Sequence, residues 1–120
     1  MADLAITPHA SPFLEHHVRS PYVERYWLPT VGPTTLCLAR RIGLDAEGAL
    51  AIVYSDELLA AQLGVAPGVL RKTLRRMTQF NLATEISGWH YVVETVWPAI
   101  AERHIRRLPQ PLRAELERVG

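Results

Sequence analysis

Residues 55–95 read SDELLAAQLGVAPGVLRKTLRRMTQFNLATEISGWHYVVET, and this stretch decides the predicted fold. It predicts two helices in succession. Ser55 is a residue type that caps helices, and the two acidic residues that follow it complement the positive end of a helix dipole. Gly64 ends the first helix, and Pro67 begins the second at a position where proline costs no hydrogen bond. The second helix is expected to run to Phe80.

A small β-hairpin is predicted directly after the second helix. Leu82–Ile86 and Trp89–Thr95 alternate well enough to pair as strands, and Ser87-Gly88 between them is a tight turn. Before the first helix, the apolar run 49–54 has the β-branched and aromatic content of a buried strand. The predicted order is therefore strand, helix, turn, helix and hairpin.

The second helix has one apolar face and one cationic face. On a helical wheel that advances about 100° per residue, Leu74 and Met77 fall within about 40° of Leu70, so this side is expected to pack on the domain. Gly68 lies near the N-terminal end of the opposite side and allows a close backbone approach. The outer face and its two shoulders comprise Gly68, Arg71, Lys72, Arg75, Arg76 and Gln79.

The outer face carries the residue types that contact duplex DNA. Arg71 and Arg75 are predicted to bond guanine edges, with Gln79 peripheral, because arginine and glutamine form paired hydrogen bonds to guanine and adenine. Lys72 and Arg76 are predicted to neutralise phosphates. The alternative is an ordinary solvated face. Such a face usually mixes charges of both signs, and this helix has no acidic residue, so the pattern favours DNA.

The hairpin offers fewer contacts to nucleic acid. Its turn has no basic residue, so the candidates are the Ser87 hydroxyl, the Gly88 backbone N–H and the imidazole of His90. Glu85 would oppose phosphate if it projected the same way. The hairpin is therefore expected to be structural or to make only minor backbone contacts.

Val53–Thr95 resembles the winged helix-turn-helix superfamily of bacterial and phage transcription factors, with its core at 55–80 and its wing at 82–95. Segments 27–41 and 106–109 are similar to a group of uncharacterised actinobacterial winged-helix proteins. The resemblance implies a mostly α fold with a small β-hairpin wing and extra N- and C-terminal helices. It also implies a small transcriptional regulator that binds duplex DNA in a sequence-specific manner.

The rest of the chain is predicted to be helical apart from a tail. Residues 1–10 are expected to form a flexible N-terminal tail, and residues 11–120 a single domain. Serine-proline pairs, which favour helix starts, precede two of the predicted helices. The predicted terminal helices cover 12–18, 21–28, 34–42, 98–107 and 111–119, the last two making up the C-terminal region 97–119.

Composition limits the class of protein. With 120 residues, 48% apolar and 21% charged, the chain suits one globular domain. The net charge is only +1, so the concentration of positive charge on one helix matters more than the total. No apolar run reaches the roughly 20 residues that span a bilayer, and no secretory signal is evident. Cys37 is the single cysteine, and a cytoplasmic protein is expected.

The sequence predicts no catalytic, metal or cofactor site. The five histidines lack the spacing that places two ligands on one helix face, and no glycine-rich phosphate loop or nucleophile motif is present. The chain is therefore expected not to be an enzyme.

Two further kinds of partner are weighed. Tyr22, Tyr26 and Trp27 form an aromatic cluster that either packs on the core or contacts a protein partner. The terminal helices are candidates for homodimerisation. The alternative to DNA binding is a winged-helix protein-interaction module, such as an adaptor or a phage factor acting on a host protein. A small-molecule sensor is a weaker third.

Overall fold

The computed structural model describes residues 3–119 as a mixed α/β protein. Within these residues a π-helical segment, Val23–Trp27, accompanies six strands and six α-helices. The strands are β1 (Asp3–His9), β2 (His16–His17), β3 (Ile52–Ser55), β4 (Ala83–Ser87), β5 (His90–Glu94) and β6 (Val96–Trp97). The α-helices are α1 (Leu28–Val31), α2 (Pro33–Asp45), α3 (Asp56–Leu63), α4 (Pro67–Gln79), α5 (Glu102–Ile105) and α6 (Gln110–Val119).

Four strands form one mixed sheet in the order β3-β1-β5-β4. Strand β1 runs antiparallel to β3 and parallel to β5, and β4 and β5 form an antiparallel hairpin. The prediction of a mostly α fold with only a small hairpin wing is therefore wrong. The hairpin extends into a sheet because a strand from the N-terminus lies between it and β3.

Most of the expected N-terminal tail instead forms an inner strand of the four-stranded sheet. Residues 1 and 2 lie outside the described residues, but Asp3–His9 forms β1, in which Leu4 and Ile6 are fully buried. Alternate burial along β1 matches the period of a strand with one covered face. Strand β1 is short, and the residues that pair with it, such as Val53 and His90, lie about 50 and 85 residues further along the chain. Local patterning therefore does not reveal it.

The N-terminal helices also differ from prediction. Segment 12–18 forms no helix, since His16–His17 pairs with Val96–Trp97 as a second, two-stranded sheet. The segment expected to end before Pro29 stays helical to Val31, because Pro29 falls in the first turn of α1, where its missing N–H is not needed.

Helix α2 continues past Gly43, which was expected to end it, as far as Asp45. Gly43 serves packing instead: a Cβ there would lie 2.6 Å from Val18 Cγ2. Towards the C-terminus, the helix predicted over 98–107 shrinks to α5, whereas α6 spans nearly the predicted 111–119.

The two successive helices predicted after Ser55 are present as α3 and α4. Ser55 Oγ accepts a hydrogen bond from the Leu58 N–H at 3.3 Å, and Gly64 ends α3 in the left-handed region with φ 75°. Helix α4 begins at Pro67 as predicted. Its apolar face, formed by Leu70, Leu74 and Met77, is fully buried.

Candidate nucleic-acid interface

The outer face of α4 is a surface ridge. Gly68, Lys72, Arg75 and Gln79 are all exposed, and none of their side chains makes a hydrogen bond or ion pair with a described residue. The absence of acidic residues on α4 leaves this ridge positively charged. The ridge is therefore available to a negatively charged partner, as the helical period predicts.

Arg71, which was predicted to contact base edges, is less exposed than the residues of the ridge and is engaged within the fold. Its side chain is only 22% exposed, and its Nη2 lies 3.5 Å from Asp56 Oδ2. Its Nη1 donates a hydrogen bond to the Gly88 carbonyl oxygen. Arg71 therefore connects α4 to the start of α3 and to the β4–β5 turn. Asp56 supports the α3 dipole as expected, but its pairing with a residue on the next helix arises only from the fold.

Arg76 remains exposed and is held in position. Its Nη2 donates to the Thr30 carbonyl oxygen at 3.3 Å, and its guanidinium carbon lies 5.8 Å from the centre of the Phe80 ring. These contacts orient Arg76 towards the α1–α2 connection. The side chain therefore occupies the flank of the ridge.

The hairpin residues are less free than predicted. His90 Nε2 is hydrogen-bonded to Thr7 Oγ1 at 2.8 Å, so the imidazole is engaged on the sheet. Ser87 Oγ is sealed from solvent without a hydrogen-bond partner among the described residues. Gly88 is exposed, but its carbonyl oxygen accepts the Arg71 bond. Of the predicted hairpin contacts, only the Gly88 backbone lies open at the surface.

Glu85 lies close to the ridge. Its carboxylate accepts a hydrogen bond from Tyr91 Oη at 3.2 Å. Burial, followed by the nearby Glu85 carboxylate, raises the pKa of Tyr91, while Arg71 and Arg75 oppose the rise. Both arginines are thus near the Tyr91–Glu85 pair, and Glu85 reduces the positive charge at the hairpin side of α4.

Two features were missed at the sequence level. Trp89 lies in the β4–β5 turn with 58% of its surface exposed, although it was treated only as a strand residue. Arg107 lines a hollow together with Arg76 and His104, so positive charge continues from α4 towards α5. Burial, and then the neighbouring Arg103 and Arg107, lower the pKa of His104. In the sequence, the arginines clustered at 103–107 could have indicated this extension of positive charge.

The aromatic cluster packs on the core. Tyr26 and Trp27 are 5% and 3% exposed. Tyr22 stacks on His16 with ring centres 3.7 Å apart, and its Oη accepts a hydrogen bond from the Ile100 N–H at 3.0 Å. These contacts show that the three side chains pack within the fold, as one of the two interpretations of the sequence predicts.

In comparisons with known proteins, the chain matches no family model, no curated protein and no solved structure. Over residues 3–119, no helix has the length and apolar character to cross a membrane. The same residues contain no group of three or more His, Cys, Asp or Glu side chains arranged to hold a metal ion.

Proposed function

We propose that this protein binds duplex DNA by placing the exposed face of α4 in the major groove. The observation that carries the proposal is the acid-free ridge of Lys72, Arg75 and Gln79, exposed along a 13-residue helix. Such a helix is about 20 Å long, and the major groove is about 12 Å wide, enough to admit it. Helix α3 precedes α4 across a short turn and contacts it, and in this proposal α3 is assigned to the DNA backbone.

The geometry changes the roles proposed for individual residues. Arg75 is the arginine best placed to contact a base edge, and Gln79 follows it one turn later on the same ridge. Lys72 and Arg76 are assigned to phosphates. Arg71 is assigned to holding the hairpin turn against α4, because its donors are already used within the fold.

The test is binding to a pool of random duplex DNA at low and moderate salt, followed by sequencing of the retained fraction. The variant Lys72→Ala/Arg75→Ala is expected to weaken binding at least tenfold and to reduce the salt slope by about one for each phosphate that is no longer neutralised. The matched control is Arg19→Ala/Arg118→Ala, which removes two exposed arginines outside α4. Equal affinity of both variants in folded form would contradict the proposal.

Action as a transcriptional regulator in the cytoplasm belongs to the same proposal. An inverted repeat with half-sites about 34 Å apart in the retained DNA would support a homodimer formed through the terminal helices. A single unpaired motif would support a monomer. Retention without any motif would support contacts to the DNA backbone alone.

A protein-interaction module remains the second candidate, supported by a different observation. Val53, Ile86 and Trp89 are 68%, 57% and 58% exposed on the strands and turn of the four-stranded sheet. Large apolar side chains left exposed can supply contacts to a protein partner. Binding through it would persist at high salt, whereas binding through the α4 ridge would fall steeply. No retention of DNA even at low salt would favour this second candidate.

A further inference from the structure

A groove of about 260 Å³ lies between the α1–α2 connection and α4. Its polar lining comes from the start of α2 and from the flank of the α4 ridge, and none of its lining residues is acidic. The residues that matter chemically are Gly32, Thr34, Thr35, Lys72 and Arg76.

The start of α2 presents unused hydrogen-bond donors to this groove. Gly32 caps the helix with φ 91° and, lacking a side chain, leaves the helix end uncovered. The first backbone N–H to be satisfied is that of Leu36, which donates to the Gly32 carbonyl oxygen at 3.2 Å. The Thr34 and Thr35 N–H groups donate to no described residue. Backbone donors at a helix start, together with the helix dipole, favour an anion.

Thr35 supplies an independent observation. The residue is 3% exposed, yet its hydroxyl makes no hydrogen bond with a described residue. Thr35 is also one of the residues that line the groove. A group bound in the groove would give this hydroxyl the hydrogen-bond partner that it lacks among the described residues.

Two cations approach the same space. Lys72 is exposed and lines the groove, and Arg76 is held there by its 3.3 Å bond to the Thr30 carbonyl oxygen. We propose that this groove binds a phosphate group, with the Thr34 and Thr35 amides and the Thr35 hydroxyl on its oxygens and the two cations balancing its charge. Lys72 belongs to both the ridge and the groove. The phosphate is therefore assigned to the backbone of duplex DNA bound by α4, and that assignment rests on the proposed function.

The experiment measures backbone amide chemical shifts while inorganic phosphate, and separately a 16-base-pair duplex of a sequence retained from the random pool, is added. If the random pool yields no retained sequence, an arbitrary 16-base-pair duplex is used. Each probe is expected to shift the Thr34 and Thr35 amides. The variant Thr35→Val keeps the shape of the side chain and removes the hydroxyl. It is expected to weaken duplex binding roughly tenfold, which is the effect of losing one hydrogen bond to a charged group. The control Thr84→Val changes an exposed threonine on β4 and should leave affinity unchanged.

The outcomes separate this inference from the proposed function. If the wild type and Thr35→Val bind the duplex with equal affinity, and the duplex shifts neither the Thr34 nor the Thr35 amide, the phosphate groove is overturned and DNA binding is left intact. Shifts with inorganic phosphate but no duplex binding would support the groove as a site for free phosphate and overturn the proposed function. No shift with either probe would overturn the groove.

Discussion

At the scale of single residues, Arg71 shows how one side chain changes role between sequence and fold. On a helical wheel it belongs to the cationic side of α4, yet its guanidinium reaches Asp56 and the Gly88 carbonyl oxygen. Its guanidinium joins α4 to the start of α3 and to the β4–β5 turn. Arginine suits this role because its planar group can donate in several directions at once.

Arg71→Ala is therefore expected to destabilise the protein by about 1–3 kcal/mol, because it leaves the largely buried Asp56 carboxylate without its partner. Lys72→Ala, at an exposed position on the same helix, is the matched control and should change stability by less than about 0.5 kcal/mol. Urea unfolding of both variants measures the difference. A double-mutant cycle with Asp56→Ala should show coupling between the two positions. If the two substitutions change the free energy of unfolding independently, Arg71 does not stabilise the fold through Asp56.

His104 connects stability to pH. Burial, and then Arg103 and Arg107, lower its pKa from the ordinary value of 6.5, so in the folded protein the ring resists protonation. Between the folded and unfolded pKa values the unfolded state binds more protons, and stability is therefore expected to fall as pH drops below 6.5. The ring packs against Trp27 and Phe80, at centre distances of 6.2 and 5.3 Å.

The variant His104→Phe keeps an aromatic ring at this position and removes the titrating group. Its loss of stability between pH 6.5 and pH 5 is expected to be smaller than that of the wild type, as measured by denaturant unfolding at several pH values. His17→Gln, at an exposed histidine, serves as the control. Identical pH dependence in the wild type and in His104→Phe would show that His104 does not cause the effect.

At the scale of elements, α4 and β1 differ in how they are specified. Helix α4 has an apolar face that repeats with the helical period over 13 residues, so its location and its buried side follow from local sequence. Strand β1 has only two fully buried residues, Leu4 and Ile6, among its seven. It is stable because β3 and β5 provide hydrogen-bond partners on both of its edges.

A proline in β1 tests whether the N-terminus is a tail or a central strand. The Ala5 N–H donates to the Trp89 carbonyl oxygen at 2.8 Å, so Ala5→Pro removes a bond inside the sheet. We expect a loss of about 3 kcal/mol or more, or failure to fold, as measured by thermal unfolding. Ala10→Pro, one residue beyond the strand, should have a much smaller effect. Equal stability of both variants would favour the tail.

At the scale of the whole molecule, charge and apolar surface are distributed unevenly around a nearly neutral chain. The net charge is +1, but the outer face of α4 and the arginines near α5 concentrate the cations on connected surfaces. The four-stranded sheet leaves Val53, Ile86 and Trp89 exposed elsewhere. DNA binding and protein binding would therefore depend on different side chains, so variants of those side chains can test each without the other.

Local sequence by itself determined the capped helix at Ser55, the turn at Gly64 and the two faces of α4, because hydrophobic period, capping and turn chemistry act over a few residues. It also placed Lys72, Arg75 and Gln79 on the exposed side. These features needed no knowledge of distant partners.

Only the tertiary structure decided that the N-terminus enters the sheet, that Arg71 pairs with Asp56, and that His90 bonds to Thr7. It also brought the start of α2 beside Lys72 to form the phosphate groove. Each of these depends on contacts between residues far apart in the chain, which the period of a local segment does not encode. The mixed α/β architecture follows from the same kind of contact.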